Sequence, residues 1–316
     1  MEDLAIMKKL ISIVIPAYNE TECVDELARR LSLVFEKEAT YDFECVIVEN
    51  GSLDDTYEKL VRINESDLRF KVLKLARNFR MDGGLTAGLS VISGDACVLM
   101  TADLQDPPEL IHDFLRLWEK GYENVYGVVT QRQGTGIIRR MNSRLFYQLA
   151  GWLTNGRVTK NASDFRLVDR KVYETVRTMD ERNRFVRGLF SWVGFKSVGV
   201  PMVRPPRHGG VSNAHTLKVL DLALKGIFAH SYVPLKIISI AGVVVSVGAL
   251  IATLWTVIAA LFFGVPFSGY GTIICTLLLG IGIVTLLLGV IAEYIALIYE
   301  EVKQRPNFII SEKIGF

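Results

Sequence analysis

Leu10-Ile-Ser-Ile-Val-Ile15 is a short apolar run, stopped at Pro16 and followed by the polar turn Ala17-Tyr-Asn-Glu20. A run of this length, bounded by a proline, reads as a strand buried on both faces of a sheet. The period then changes. From about Glu22 onward, Val24, Leu27, Leu31 and Val34/Phe35 recur on one helical face, which predicts an amphipathic helix. The alternation continues. Residues 43–48 (FECVIV) predict a second strand ended at Asn50-Gly51, residues 70–75 a third, residues 96–100 (ACVLM) a fourth and residues 124–129 a fifth. A short helix after Gly51 and helices at about 83–92 and 107–120 separate them. Apolar strands divided by helices predict an α/β fold, a Rossmann-like and mostly parallel sheet with helices on both faces.

In such sheets ligands bind beyond the carboxyl ends of the strands. Those ends are polar here. Pro16, Tyr18, Asn19 and Glu20 follow the first strand, and Glu49, Asn50, Ser52, Asp54 and Asp55 the second. Arg77, Asn78 and Arg80 follow the third, and Thr101, Asp103, Gln105 and Asp106 the fourth. One crevice is thus offered carboxylates, amides and guanidinium groups. Neither G-x-G-x-x-G nor G-x-x-x-x-G-K-[ST] occurs, so phosphates must be held by other means. A divalent metal is the natural one. Asp103 and Gln105 alternate along the chain and can present both oxygens on one side of an extended segment. Hard oxygen ligands suit Mg2+ or Mn2+, which bridge to substrate phosphates. Alone, an Asp-x-Gln pair is ordinarily a solvated loop; its place at the end of a buried strand reverses that reading.

The chain has 316 residues, with 36 basic and 34 acidic side chains. The net charge of +2 gives no basic patch for nucleic acid. The four cysteines form no C-x-x-C pair and read as buried thiols in a reducing compartment. The first twenty residues hold only a short apolar run, unlike a signal peptide, so the body is expected in the cytoplasm. From Ile237 to Ala292 runs a 56-residue stretch without one charged side chain, long enough for two spans of about 20 residues. Residues 265–271 (VPFSGYG) break it near the middle. The expectation is two transmembrane helices at about 234–263 and 271–299, with a short uncharged loop outside and the basic flanks inside. Before them, Leu217, Leu220, Leu224 and Ile227/Phe228 recur at helical spacing. Residues 216–233 thus read as an amphipathic helix lying on the bilayer or packed on the body. The body occupies residues 1–215 and a cytoplasmic tail residues 300–316.

VIPAYNE (14–20), VENGSLDDT (48–56), LARNFRMDGGLTAGL (75–89), TADLQDPPE (101–109) and SDFRLVDRKV (163–172) resemble the inverting GT-A glycosyltransferases of family 2. Within that family the chain is most similar to the polyprenyl-phosphate glycosyltransferases, the bactoprenol glucosyltransferases and dolichol-phosphate mannose synthases. The likeness runs on through the paired apolar segments to EEVKQRP (300–306). It implies a metal-dependent hexosyltransferase in the plasma membrane, catalytic body inside. The enzyme would move a sugar, glucose from UDP-glucose by choice, onto undecaprenyl or another polyprenyl phosphate in O-antigen or envelope glycan modification. A homo-oligomer formed through the membrane region is also compatible with it.

The resemblance further implies roles for individual residues. Pro16, Tyr18 and Glu20 surround the nucleoside, with Asn50 near the base, where the family often has Asp; Arg77 and Asn78 join the nucleotide-sugar site. The metal motif Asp-x-Asp-x-Gln is carried by Thr101, Asp103 and Gln105. A hydroxyl stands at Thr101 where a carboxylate is usual, so either affinity is weaker or substrate phosphate and water complete the set. Arg139 and Ser143, four residues apart on a helix, face the acceptor phosphate, or belong to a plain basic surface. Arg132 is a further pyrophosphate contact. Asp164 and Arg166 lie near the sugar; Asp164 contacts sugar hydroxyls or orients the acceptor, or else forms a structural salt bridge to Arg166. Residues 207–213 (RHGGVSN) resemble a loop closing over the donor, with Ser212 as its contact and Asn213 in place of the usual Lys, or form a simple turn. Two other readings stay open: a processive polysaccharide synthase of the same fold, whose Gln-x-x-Arg-Trp motif is missing here, and a membrane scaffold or lipid-flipping partner with a decayed site.

Overall fold

The computed structural model describes residues 8–132, 162–205 and 269–316, with eight further positions between 240 and 262. The chain divides into two compact units. One comprises residues 1–151, 156–215 and 305–316, the other residues 152–155 and 216–304. Arg139, Ser143, Ser212 and the amphipathic stretch 216–233 lie outside the described residues.

In the first unit the elements run β1 (Lys9–Ala17), α1 (Val24–Lys37), β2 (Tyr41–Glu49), α2 (Thr56–Ser66), β3 (Phe70–Leu75), α3 (Arg80–Leu89) and β4 (Ala96–Leu99). A 3-10 turn (Pro108–Leu110) opens α4 (Ile111–Glu119), followed by β5 (Asn124–Arg132), β6 (Ala162–Asp169), α5 (Arg170–Arg177), α6 (Val186–Trp192) and β7 (Ser197–Arg204). The second unit contributes α7 (Tyr270–Lys303), after which β8 (Ile310–Ile314) belongs to the first unit again.

The eight strands form one sheet in the order β7-β5-β6-β4-β1-β2-β3-β8. β1 pairs parallel with β2 and β4, and β2 with β3. β6 is antiparallel to both β4 and β5, β7 is parallel to β5, and β8 is antiparallel to β3. The sheet is therefore mixed, and β5 is not the neighbour of β4. β5 ends and β6 begins at the same edge, a pairing that needs no crossover. Helices cover both faces. Ile11, Ile13 and Ile15 of β1 point into one core with Leu27 and Leu31 of α1, Leu60 of α2 and Phe114 of α4. Val14, Val46, Val48 and Leu99 point to the other, with Leu85 of α3, Tyr173 of α5 and Leu189 of α6. The period-2 alternation of the strands thus feeds two separate apolar layers. α3 lies so close on β1 that a Cβ at Gly88 would strike the Val14 side chain.

In the second unit, Ile240, Val244, Val247, Ile251, Trp255, Ile258 and Phe262 are helical and exposed. Among the described residues one helix, over Gly280–Lys303, is long and apolar enough to cross a membrane. It belongs to α7, whose 34 residues span about 50 Å. Two spans were expected; one is described in full.

Candidate active site at the carboxyl edge of the sheet

The turns that leave β1, β2 and β3 are tied to one another. Asn19 takes a left-handed backbone with φ 54°. Its N–H donates to Ser52 Oγ at 3.1 Å, and its Oδ1 accepts from the Leu53 N–H at 2.8 Å. The Glu20 N–H donates to Thr56 Oγ1 at 2.9 Å, and that hydroxyl donates to Asp54 Oδ1 at 2.5 Å. Asn50 is buried. Its Nδ2 donates to the Arg80 carbonyl at 2.9 Å and its Oδ1 accepts from the Phe79 N–H at 2.9 Å. Asn50, expected near the base, engages both ends of its amide in the entry to α3. A carboxylate there would keep the Phe79 bond and lose the donor to Arg80. Gly51 has φ 71°, and a Cβ on it would fall 2.6 Å from the Arg77 carbonyl carbon, so only glycine fits. Pro16 is buried against Gly84 of α3, whereas Tyr18 and Glu20 are half-buried at the crevice. Arg77 is exposed, with its guanidinium 4.0 Å from the Phe79 ring centre. Asn78 Oδ1 accepts from the Arg80 N–H at 2.7 Å.

Beyond β4 the burial alternates. Ala102, Leu104 and Asp106 are buried, while Thr101, Asp103 and Gln105 are half-exposed on the other side. Leu104 has φ 59°, so the segment is a turn rather than the extended run expected. Asp106 pins this turn. Its Oδ2 accepts from the Thr101 N–H at 3.1 Å and lies 2.7 Å from Thr101 Oγ1. Its Oδ1 lies 3.4 Å from both Ser163 Oγ of β6 and Arg204 Nη2 of β7. Burial pushes the Asp106 carboxyl up, opposed by the Arg204 charge and the Thr101 hydrogen bonds. Asp103 Oδ1 is 2.8 Å from Thr101 Oγ1 and accepts from the Gln105 N–H at 3.3 Å. The Thr101 hydroxyl is therefore enclosed by carboxylates. No three His, Cys, Asp or Glu side chains among the described residues could share a metal. Among the described residues, Asp103 Oδ2 and the Gln105 carboxamide make no hydrogen bond, and both side chains stand partly exposed. One carboxylate and one amide, completed by substrate phosphate and water, fit Mg2+ or Mn2+.

On β6, Asp164 and Arg166 sit at the same edge but do not pair with each other by hydrogen bond. Arg187 of α6 takes Asp164 instead. Its Nε donates to Oδ1 at 2.6 Å and its Nη2 to Oδ2. Burial pushes the Asp164 carboxyl up, but the Arg187 charge and hydrogen bonds, with Arg166 and Arg204, hold it below its usual value. Arg166 donates to the Ser163 carbonyl at 3.1 Å and lies over the Phe190 ring. Burial lowers it to about 10, against the pull of Asp164. The structural salt bridge to Arg166 considered above is thus replaced by one to Arg187. Asp82 of α3 accepts from the Val186 N–H at 2.9 Å. Burial lifts its carboxyl to about 6. The backbone of Arg132, at the end of β5, pairs with Arg204.

The carboxyl edge of the sheet holds the turns of segments 14–20, 48–56, 75–89 and 101–109 and the start of segment 163–172. Residues 12–177 match Glycosyl transferase family 2. The chain belongs to that family. The family-2 chain is 39% identical to an uncharacterized glycosyltransferase of Bacillus subtilis (strain 168), over 96% of this chain and 94% of that one. It is 37% identical to an uncharacterized glycosyltransferase of Synechocystis sp., over 96% of both. It is 34% identical to the bactoprenol glucosyl transferase of Shigella phage SfII, over 96% of this chain and 97% of that one. The likeness to relatives therefore includes the apolar segment as well as the body, and the chain is a glycosyltransferase. Sequence reasoning noted Asp106 and Asp82 inside its quoted segments without giving them roles. Arg187 and Arg204 carried no sequence signal, because each acts through the fold on a residue far away in the chain.

Proposed function

We propose that this glycosyltransferase moves glucose from UDP-glucose to the phosphate of undecaprenyl or a related polyprenyl phosphate at a membrane surface, in the modification of an envelope glycan. The observation that carries this reading is 34% identity with a bactoprenol glucosyl transferase over 96% of the chain, apolar segment included. The acceptor is then a lipid. α7 exposes Ile273, Leu277, Ile281, Val284 and Leu288, a surface suited to hydrocarbon.

The phosphate oxygen of the acceptor attacks the anomeric carbon as the bond to the nucleoside diphosphate breaks, with inversion. The attacking oxygen is already anionic and needs little help from a base. The diphosphate gathers charge as it leaves. Asp103 and Gln105 would hold Mg2+ or Mn2+, which when bound supplies positive charge against that leaving group. Tyr18 and Glu20 border the nucleoside, and Arg77 and Asn78 the far side of the donor, joined by Arg132 and Ser212. Asp164 accepts hydrogen bonds from the sugar, Arg166 stiffens β6 beneath it, and Arg139 and Ser143 take the acceptor phosphate. Two membrane crossings with the body inside complete the proposal. Strands β1 to β7 and β8 share one sheet, so these strands lie on the same side of any bilayer.

A donor screen tests the reading. Full-length chain in lipid nanodiscs is given undecaprenyl phosphate, Mn2+ and labelled UDP-glucose, UDP-galactose, UDP-N-acetylglucosamine or GDP-mannose. Glucosyl lipid from UDP-glucose is expected, and Asp103→Ala is expected to lose it by on the order of 1,000-fold. Lipid product from another donor alone, or undiminished transfer by the variant, would reject the donor or the site.

A further inference from the structure

We infer that Arg187 and Asp82 are positioning residues for Asp164: Arg187 fixes the plane of the Asp164 carboxylate, and Asp82 fixes Arg187 by holding the start of α6. The inference rests on the reading above, in which Asp164 faces the transferred sugar. Its geometry is a chain of three contacts drawn from three elements. Arg187 grips Asp164 with two parallel N–H donors, Nε to Oδ1 at 2.6 Å and Nη2 to Oδ2. A two-pronged contact of this kind sets the rotation of a carboxylate as well as its position. Arg187 sits on α6, a helix of seven residues, too short to hold its own direction. Its first N–H, that of Val186, donates to Asp82 Oδ1 at 2.9 Å. Asp82 is in the first turn of α3, the helix that Asn50 and Gly84 seat against β2 and β1. The turns proposed to border the nucleotide are thereby connected, through α3 and α6, to the carboxylate proposed to face the sugar. With both prongs in place each Asp164 oxygen keeps a lone pair for a substrate hydroxyl.

The charges around the relay explain why a fixed cation is needed. Asp164 faces Arg187 from α6, Arg166 from its own strand and Arg204 from β7. Asp82 faces Asp164, Arg187 and Arg184. Two buried carboxylates share this space. Without the Arg187 fork, burial would favour a protonated Asp164.

The test uses the full chain in nanodiscs, with kcat and KM for UDP-glucose and undecaprenyl phosphate measured across pH. For Arg187→Gln, kcat is expected to fall on the order of 100-fold with KM for UDP-glucose little changed. The acidic limb of kcat is expected to move up by about one pH unit or more. Arg187→Lys keeps a charge but no fork, so its limb should stay near that of the wild type while kcat remains depressed. Asp82→Ala is expected to lower kcat by less than Arg187→Gln does, and Asp82→Asn, which keeps an acceptor for the Val186 N–H, to recover most of that loss. A lower kcat with an unmoved limb in Arg187→Gln would reduce Arg187 to a structural residue and overturn the inference. A second readout does not depend on transfer. In protein labelled with 13C at the Asp carboxyl carbon, the Asp164 signal, assigned by its loss in Asp164→Asn, should titrate at higher pH in Arg187→Gln. An unshifted titration overturns the relay even if wild-type protein transfers glucose. A shifted titration in a protein that transfers none supports the relay and rejects the substrate reading instead.

Discussion

Thr101 has one hydroxyl proton and two carboxylates within reach, Asp103 Oδ1 at 2.8 Å and Asp106 Oδ2 at 2.7 Å. A carboxylate at this position, usual in the chains that this one resembles, would set three negative groups together. Thr101→Asp is therefore expected to melt below wild type in chelator. Mn2+ should close the gap, because a cation relieves the repulsion and gains a ligand. A Mn2+ titration followed by melting temperature checks this; a gap unaffected by Mn2+ would place residue 101 away from the metal. Asp82 offers a second test at this scale. Its carboxyl is raised from 3.8 to about 6, chiefly by burial, so the fold prefers it neutral. That contribution is fully present below pH 3.8 and is lost as pH rises through about 6. Asp82→Asn, neutral throughout, should melt above wild type at neutral pH, and the difference should vanish in acid. A constant difference between the two would show that the carboxyl does not titrate in this range.

Among the elements, β8 was the least foreseeable and is held by partners that include Tyr57 and the Lys74 carbonyl, 255 and 237 residues away in the chain. Residues 300–316 read as a polar tail, because Ile310–Ile314 (ISEKI) buries little and carries two charges. Its place is set by backbone pairing with β3 and by neighbours: the Ala76 N–H donates to the Ile309 carbonyl at 2.9 Å, and Tyr57 donates to Glu312 at 2.7 Å. Removing residues 305–316 should lower stability by roughly 3 kcal/mol, counting about 1 kcal/mol for each lost ladder bond. It should also weaken UDP-glucose binding, since the same bond steadies the turn at Arg77. Chemical denaturation and donor titration of the truncated chain measure both. The contrast with β1 to β4 shows what the sequence made legible. Those strands are apolar on both faces and end at Pro16, Asn50-Gly51 or a polar cluster, so length and period sufficed. β3 was placed residue for residue at 70–75. β6 was hidden by Ser163, Asp164 and Arg166, polar residues that break the apolar run. β7 contains Pro201 and Gly199, tolerable only because it is an edge strand. The site followed the same division. Residues facing the crevice could be read from strand ends, whereas the fork of Arg187 on Asp164 joins positions whose sequence distance gives no period.

At the scale of the whole molecule, the two ends of the apolar unit return to one sheet. If α7 crosses a bilayer, a second crossing must lie within residues 206–269, and the exposed helical positions from Ile240 to Phe262 are where it is expected. Cysteine scanning checks this. In a Cys275→Ser background, Ser268→Cys should react with an impermeant maleimide in intact cells, whereas Ser311→Cys should react only after permeabilisation. Equal labelling of both in intact cells would reject the pair of crossings.

The strand that flanks β3 also imposes an order of events. During translation β1 to β7 can leave the ribosome and pack, but β8 emerges only after every residue of α7. Until then β3 carries an open edge of unpaired amides and carbonyls. A nascent chain halted within α7 would hold an unfinished sheet, so the edge of β3 is completed only once the apolar segment has been made.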